Sequence, residues 1–267
     1  MSSSSKNSEA VINLADTHLT DAQIKTLAVK ANAIRITLIE ALVEAGSGHT
    51  AGPLGMADIF AYLYFHELRH DPKNPNWPDR DRLVLSNGHI CPVLYATMAH
   101  AGYFGKDGVE QYKKTLRKFG SMFQGHPHRE YLPALETSSG PLGSGLSQAV
   151  GMALAERIDG GRSYKKWIYC LMSDGELDAG NSWEGAMLAG KEKLGNLIAI
   201  VDRNNIQIDG FTEDMFDKPS VIIANTIPGR GVPEFERKYE WHGKPPNKEE
   251  GAMALKKLRE LGEKISK

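Results

Sequence analysis

Two apolar runs, KWIYCLMS ending at Ser173 and NLIAIVD ending at Asp202, flank one helical-looking stretch and restrict the possible folds sharply. Neither run alternates apolar with polar residues. A continuous apolar segment of strand length is how a strand buried on both faces reads. Strand, helix and strand within roughly forty residues make a βαβ unit, whose two strands must pair in parallel. Two more runs, RLVLS at 82–86 and SVIIANT at 220–226, have the same character. Helical spacing marks the stretch from Asp21, with Thr20 or Asp21 as N-cap and Gly46 as stop. It recurs in MADIFAYLYFHEL, in NGHICPVLYATMAHAGYF, after the glycine loop GPLGSG, and in the C-terminal GAMALKKLRELGEKIS. The expected fold is α/β, a mostly parallel sheet with helices on both faces.

Composition narrows the setting. The net charge is −1 and the basic residues are dispersed, which gives no footprint for nucleic acid or an anionic membrane. No apolar run approaches the ~18–20 residues that span a bilayer. The opening MSSSSKNSEA lacks the apolar core of a signal peptide and reads as a flexible tail over residues 1–19. Cys91 and Cys170 sit among apolar neighbours without Cys-x-x-Cys spacing, which reads as buried thiols in a reducing, cytoplasmic compartment.

All four strands end in small, polar or glycine-containing sequence: Ser86-Asn87-Gly88-His89, Ser173-Asp174-Gly175, Asp202-Arg203-Asn204-Asn205 and Asn225-Thr226-Ile227-Pro228-Gly229. Ligands of open parallel sheets bind beyond the carboxyl ends of the strands, so the four termini point to one composite site. Asp174 and Asn204 lie thirty residues apart, one βαβ unit, which brings their strand ends side by side. A carboxylate, a carboxamide and a nearby carbonyl are hard donors suited to Mg²⁺ or Ca²⁺ with phosphate oxygens. Gly175 lets backbone approach a phosphate. The alternative is structural, with Asp174 capping a helix and Asn204 making a turn.

Four of the nine histidines, His49, His89, His126 and His242, lie in loops flanked by glycine or proline. Glycine beside a histidine permits close ligand contact, and imidazole suits proton transfer near neutral pH. Each alone reads equally as a satisfied loop residue; four beside a metal-like pair favour catalysis. The loop SSGPLGSGLSQAVG lacks the Gly-Lys-Ser/Thr ending of a Walker A loop and reads alone as a tight turn.

SDGE followed by DRNN resembles the diphosphate-binding motif of thiamine-diphosphate enzymes. Taken in order, SGHTAGPLG, SNGHICPVLYA, FQGHPHRE, SSGPLGSGLSQAVGMAL, IDGFTED and WHGKPPNKEE are similar to the N-terminal, diphosphate-binding domain of transketolase. The resemblance runs from about residue 20 to the C-terminus and implies one cofactor-binding domain over 20–267. It implies that Asp174 and Asn204 ligate Mg²⁺ by side chain and Ile206 by its carbonyl. Gly175 and His89 would lie along the diphosphate, Gly140 against the aminopyrimidine, and Leu142 against the bent cofactor. His49, His89, His126 and His242 would line the substrate channel, with His242 also near the cofactor and Lys244 a further contact. Glu184 matches an acidic residue near the subunit interface. The implied reaction moves a two-carbon ketol unit between sugar phosphates.

The family's complete members continue into a pyrimidine-binding domain that carries the activating glutamate and the arginines for the sugar phosphate. This chain ends at Lys267, so the resemblance implies a split enzyme with a C-terminal partner, in an α2β2 assembly. After Ile208-Asp209-Gly210 the family inserts a strand and two helices; only FTEDMFDKP (211–219) precedes SVIIANT here. Such a loss would uncover one end of the sheet. Ala179, Thr50 and His128 stand where relatives often have glutamate, proline and an acidic residue. Competing readings are a dehydrogenase-E1-like or deoxyxylulose-phosphate-synthase-like subunit, a transketolase for an unusual sugar such as a sulfosugar, and a catalytically silent scaffold subunit.

Overall fold

The structure is a computed structural model, and it is described over residues 18–132, 134–160, 164–208, 210–212 and 223–266. Most of the expected N-terminal tail, most of the shortened stretch after Gly210 and the first residues of SVIIANT lie outside the described residues.

Helix α1 (Asp21–Ala45) starts at Thr20, whose hydroxyl accepts from the Gln23 amide while the Gln23 side chain accepts from the Thr20 amide. This reciprocal box satisfies two otherwise orphaned donors. The helix stops where Gly46 turns left-handed and its amide bonds to the Leu42 carbonyl. α2 (Ala51–Tyr62) runs into a wider π turn over Leu63–Glu67. β1 (Arg82–Leu85) follows, then a tight turn over Gly88–Ile90, α3 (Cys91–His100) and α4 (Gly108–Thr115). α5 (Gly145–Gly160), β2 (Ile168–Ser173), a 3-10 turn over Asp174–Asp178, α6 (Gly180–Glu192) and β3 (Leu197–Arg203) form the central βαβ region. A short hairpin, β4 (Ile206–Gln207) and β5 (Gly210–Phe211), precedes β6 (Ile223–Asn225), and α7 (Lys248–Ser266) closes the order. The short helix α4 and the β4–β5 hairpin add to the elements expected from sequence.

The sheet order is β1-β2-β3-β6, and every neighbouring pair is parallel. NLIAIVD and SVIIANT are neighbours, with Val201 opposite Ile223 and Arg203 opposite Asn225. Both faces are covered, as the continuous apolar strands required. Val84, Ile168, Cys170, Met172 and Val201 pack against Leu146, Ala149, Val150 and Ala153 of α5. The alternate residues Leu85, Tyr169 and Leu171 join the larger core beneath α1, α2 and α3. Cys91 and Cys170 are buried free thiols. Near β3 the cover thins: Leu194, Leu197 and Ala199 line an open apolar groove of about 510 Å³ with Ala186 and Ala189 of α6.

Candidate active site

The register places Ser173 opposite Asp202, so β2 and β3 deliver Asp174 and Asn204 to the same edge of the sheet. Asp174 Oδ2 accepts from the Asn205 amide at 2.8 Å and the Thr212 hydroxyl at 3.3 Å, while Oδ1 accepts from Gly175. Burial pushes this carboxyl up, and those hydrogen bonds oppose the rise. Asn204 Oδ1 accepts from the Ile206 amide at 3.0 Å, and its Nδ2 donates to Asp202 at 2.9 Å. Between them Asn205 holds a left-handed conformation, φ 64°. The structural alternative is thus met in part, since Asn204 does close a turn. The cap of the 3-10 segment is Ser173 rather than Asp174, which leaves the Asp174 carboxylate as a link between two strand ends. Asp202 is buried, bonds to Thr226, and is pushed up to about 6 by burial, with the Asp174 charge adding to the rise.

These donors fit a hard divalent cation. They comprise a buried carboxylate, a carboxamide oxygen with a lone pair to spare, and backbone carbonyls at a turn already fixed by Asn205. Asp174 and Asn204 would hold the ion by side chain, and Ile206 would present its carbonyl. A bound cation would also favour the ionised form of Asp174 that burial disfavours.

Glu176, which the sequence reading passed over, is the most interlocked residue of the region and fully buried. Its Oε1 accepts from the Gly143 amide at 2.7 Å and from the Ser86 hydroxyl; its Oε2 accepts from the Ser173 amide at 2.8 Å. Ser86 in turn accepts from the Gly145 amide. One carboxylate therefore fastens the ends of β1 and β2 to the glycine loop before α5. The signal was present in Ser173-x-x-Glu176, a capping-box spacing.

The four histidines come together from loops far apart in sequence. The ring centroids of His49 and His89 lie 4.9 Å apart, those of His89 and His242 5.3 Å, and those of His49 and His242 5.6 Å. His126, more exposed, is close enough for its charge to act on His49 and His89. Burial is the largest cause holding all four imidazoles toward neutral, His49 down to about 4, and their mutual repulsion adds to it at His49 and His89. The buried Nδ1 atoms of His49 and His242 have no partner among the described residues. Thr50, where the family resemblance leads one to expect proline, donates its hydroxyl to the Lys244 carbonyl at 2.8 Å and so ties the His49 loop to the His242 loop. Proline has no hydroxyl to do this.

The flanking glycines have reasons besides ligand approach. Gly48 is left-handed with φ 127°. A Cβ at Gly88 would stand 2.6 Å from Ser139 Oγ and 3.1 Å from the Gly140 amide, so glycine lets the His89 turn nest against the 139–143 loop. Beside that contact the Asn87 side-chain amide is fully buried, and neither its atoms nor the Ser139 hydroxyl has a partner among the described residues. Buried orphans of this kind are costly unless something binds them, and here they adjoin Gly140. Gly140 has open space where a Cβ would be, and Leu142 is 47% exposed. Both suit a cofactor-facing loop. The Lys244 ammonium pairs with Glu250 at 2.6 Å and lies over the Trp241 ring. Glu184 is exposed on α6, and His128 stacks on Tyr131.

Residues 26–218 match the family model described as transketolase, thiamine diphosphate binding domain. The chain belongs to the transketolase family. It is 38% identical to Transketolase 2 of Escherichia coli over 85% of this chain but only 40% of that protein. It is 35% identical to the 6-deoxy-6-sulfo-D-fructose transketolase subunit of a Clostridium species, covering 87% of this chain and 96% of that subunit. The transketolase of Campylobacter jejuni superposes with a TM-score of 0.79 at 33% identity, over 89% of this chain and 43% of that one. The chain thus spans about two fifths of the long transketolases. Both sequence alignments run longer than the stretch of this chain they cover, so the relatives carry residues that this transketolase-family chain lacks. The short stretch after Gly210 leads one to expect this.

Proposed function

We propose that the chain is the cofactor-binding N-terminal half of a two-chain transketolase. With a C-terminal partner, Mg²⁺ and thiamine diphosphate, it would transfer a two-carbon ketol unit from a ketose phosphate to an aldose phosphate. The observation that carries this reading is the convergence of His49, His89 and His242 within 4.9–5.6 Å of one another, in a chain whose strand ends bring Asp174 beside the Asn204 turn.

When bound, the cofactor supplies a carbon nucleophile able to take up and release the two-carbon unit. The chain's own residues bind, orient and move protons. Asp174, Asn204 and the Ile206 carbonyl hold the cation, Gly175 and His89 face the diphosphate, and Gly140 and Leu142 face the rest of the cofactor. His49, His126 and His242, neutral at pH 7, accept and return protons at the sugar hydroxyls. His242 also contacts the cofactor. Lys244 is a further substrate contact once released from Glu250.

The near-complete coverage of the Clostridium subunit supports a separate partner chain, and the substrate in that relative's name favours one second reading: a donor ending in sulfonate rather than phosphate. The test mixes this chain with its candidate C-terminal partner, Mg²⁺ and thiamine diphosphate, and follows transfer to ribose 5-phosphate. Donors are xylulose 5-phosphate and 6-deoxy-6-sulfofructose in parallel. Transfer is expected only with both chains present. No transfer from either donor by a folded, associated pair would leave the silent-scaffold reading in its place.

A further inference from the structure

Arg117 stands at the edge of the histidine cluster with no part in the chemistry above. It follows α4 in a left-handed conformation, φ 61°, sparsely populated by residues other than glycine, and its amide donates to the Phe123 carbonyl at 2.8 Å. The turn carries its guanidinium over Gly125: a Cβ there would lie 2.9 Å from Cζ and from Nη1. At Gly48 a Cβ would lie 4.0 Å from the same Nη1. These glycines immediately precede His126 and His49, so one cation rests beside both histidine loops. The smallness of Gly125 is what admits it.

Its charge is also unspent. Lys118 pairs with Glu44 at 2.7 Å and Lys244 with Glu250 at 2.6 Å. Arg117 is exposed and pairs with no carboxylate among the described residues. The imidazoles beside it are held neutral, first by burial and, for His49 and His126, also by the Arg117 charge. They therefore offer an anion nothing comparable. A planar guanidinium presents parallel donors that match two oxygens of a tetrahedral oxyanion.

We propose that Arg117 binds the terminal oxyanion, phosphate or sulfonate, of the sugar whose hydroxyls His49 and His126 contact. This rests on reading the histidine cluster as a sugar channel. It gives this half an anion contact of its own, beside the arginines that the family resemblance assigns to the other half.

The test uses the full chain and follows its histidine Cε1–H resonances during titration with ribose 5-phosphate, with ribose, and with a sugar bearing a terminal sulfonate. In the wild type the anionic sugars shift His49 and His126 with a saturable isotherm, and ribose binds far more weakly. Arg117→Gln weakens the anionic sugars about tenfold or more while leaving ribose unchanged. Arg117→Lys, which keeps the charge without the fork, falls between. The arm with the larger Arg117-dependent loss names the natural anion, and loss in either supports the proposal. Equal affinity of wild type and Arg117→Gln for both anionic sugars overturns it, as does ribose binding as tightly as ribose 5-phosphate. The readout needs neither partner nor turnover, so a failed transfer assay with this binding intact would count against the proposed reaction alone.

Discussion

Asp174 and Glu176 are two residues apart, both buried and both raised by burial, yet their surroundings give them different work. Asp174 shares its oxygens with Thr212 and the Asn205 turn, where a cation can still approach. Asp174→Asn is therefore expected to abolish Mg²⁺-dependent retention of thiamine diphosphate, measured by calorimetric titration. His126→Ala, which removes a channel residue, should leave retention within about threefold. Equal loss in both would show that metal holding and substrate holding are not divided as proposed. Glu176 has no such freedom. Each oxygen accepts a backbone amide, from Gly143 and Ser173. In Glu176→Gln the side-chain NH₂ must face one of those donors in either flip. The expected cost is about 2–3 kcal/mol in urea unfolding, with no dependence on added Mg²⁺. The spacing Ser173-x-x-Glu176 announced the cap, but the contacts of Glu176 with Ser86 and Gly143 join residues 90 and 33 positions away, which no local pattern records.

At the scale of elements the four strands, the parallel pairing and the two covered faces were legible because continuous apolar runs have few other uses in a chain of this kind. Helix α1 was legible at both ends through Thr20 and Gly46. Helix α4 was not: it is only eight residues long, polar on average, and buries only Gly108 and Tyr112. The glycine loop was legible only as a turn when read alone. Its structural reason is the closeness of α5 to β1, since a Cβ at Gly145 would stand 2.4 Å from Ser86 Cβ and 2.6 Å from its Cα. Backbone on the far side cannot yield as a flexible side chain can. Gly145→Ala should therefore displace the start of α5, costing about 1–3 kcal/mol in urea unfolding. It should also weaken the Ser86–Gly145 bond, seen as faster amide exchange at Gly145. Gly151→Ala, in the same helix with open space at its Cβ, is the control expected to be neutral or stabilising.

The histidine cluster belongs to the whole molecule, because loops near residues 49, 89 and 242 meet only when the chain is folded. Its sequence signature, a histidine beside glycine, gave the members but neither their mutual contact nor their protonation. Burial, then repulsion, holds His49 near 4 against 6.5 in the unfolded chain. A folded-state value below the unfolded one means stability is fully present above pH 6.5. It is lost as the unfolded chain takes up a proton that the folded cluster refuses, between pH 6.5 and about 4. Asp202 acts with the opposite sign. Its carboxyl is raised to about 6 from 3.8, so the folded state gains from protonation as pH falls through that range. The total pH profile mixes the two, and only a difference isolates the imidazole. The gap in unfolding free energy between wild type and His49→Gln should therefore move in the variant's favour from pH 7.5 to pH 4. The movement should be at most about 2 kcal/mol, because His49 is partly open to solvent. Urea titrations at pH 7.5, 5.5 and 4.0 measure it. A gap independent of pH would mean that the folded chain protonates His49 as readily as the unfolded one, and that the channel is wetter and more cationic at neutral pH than proton transfer through neutral imidazoles requires.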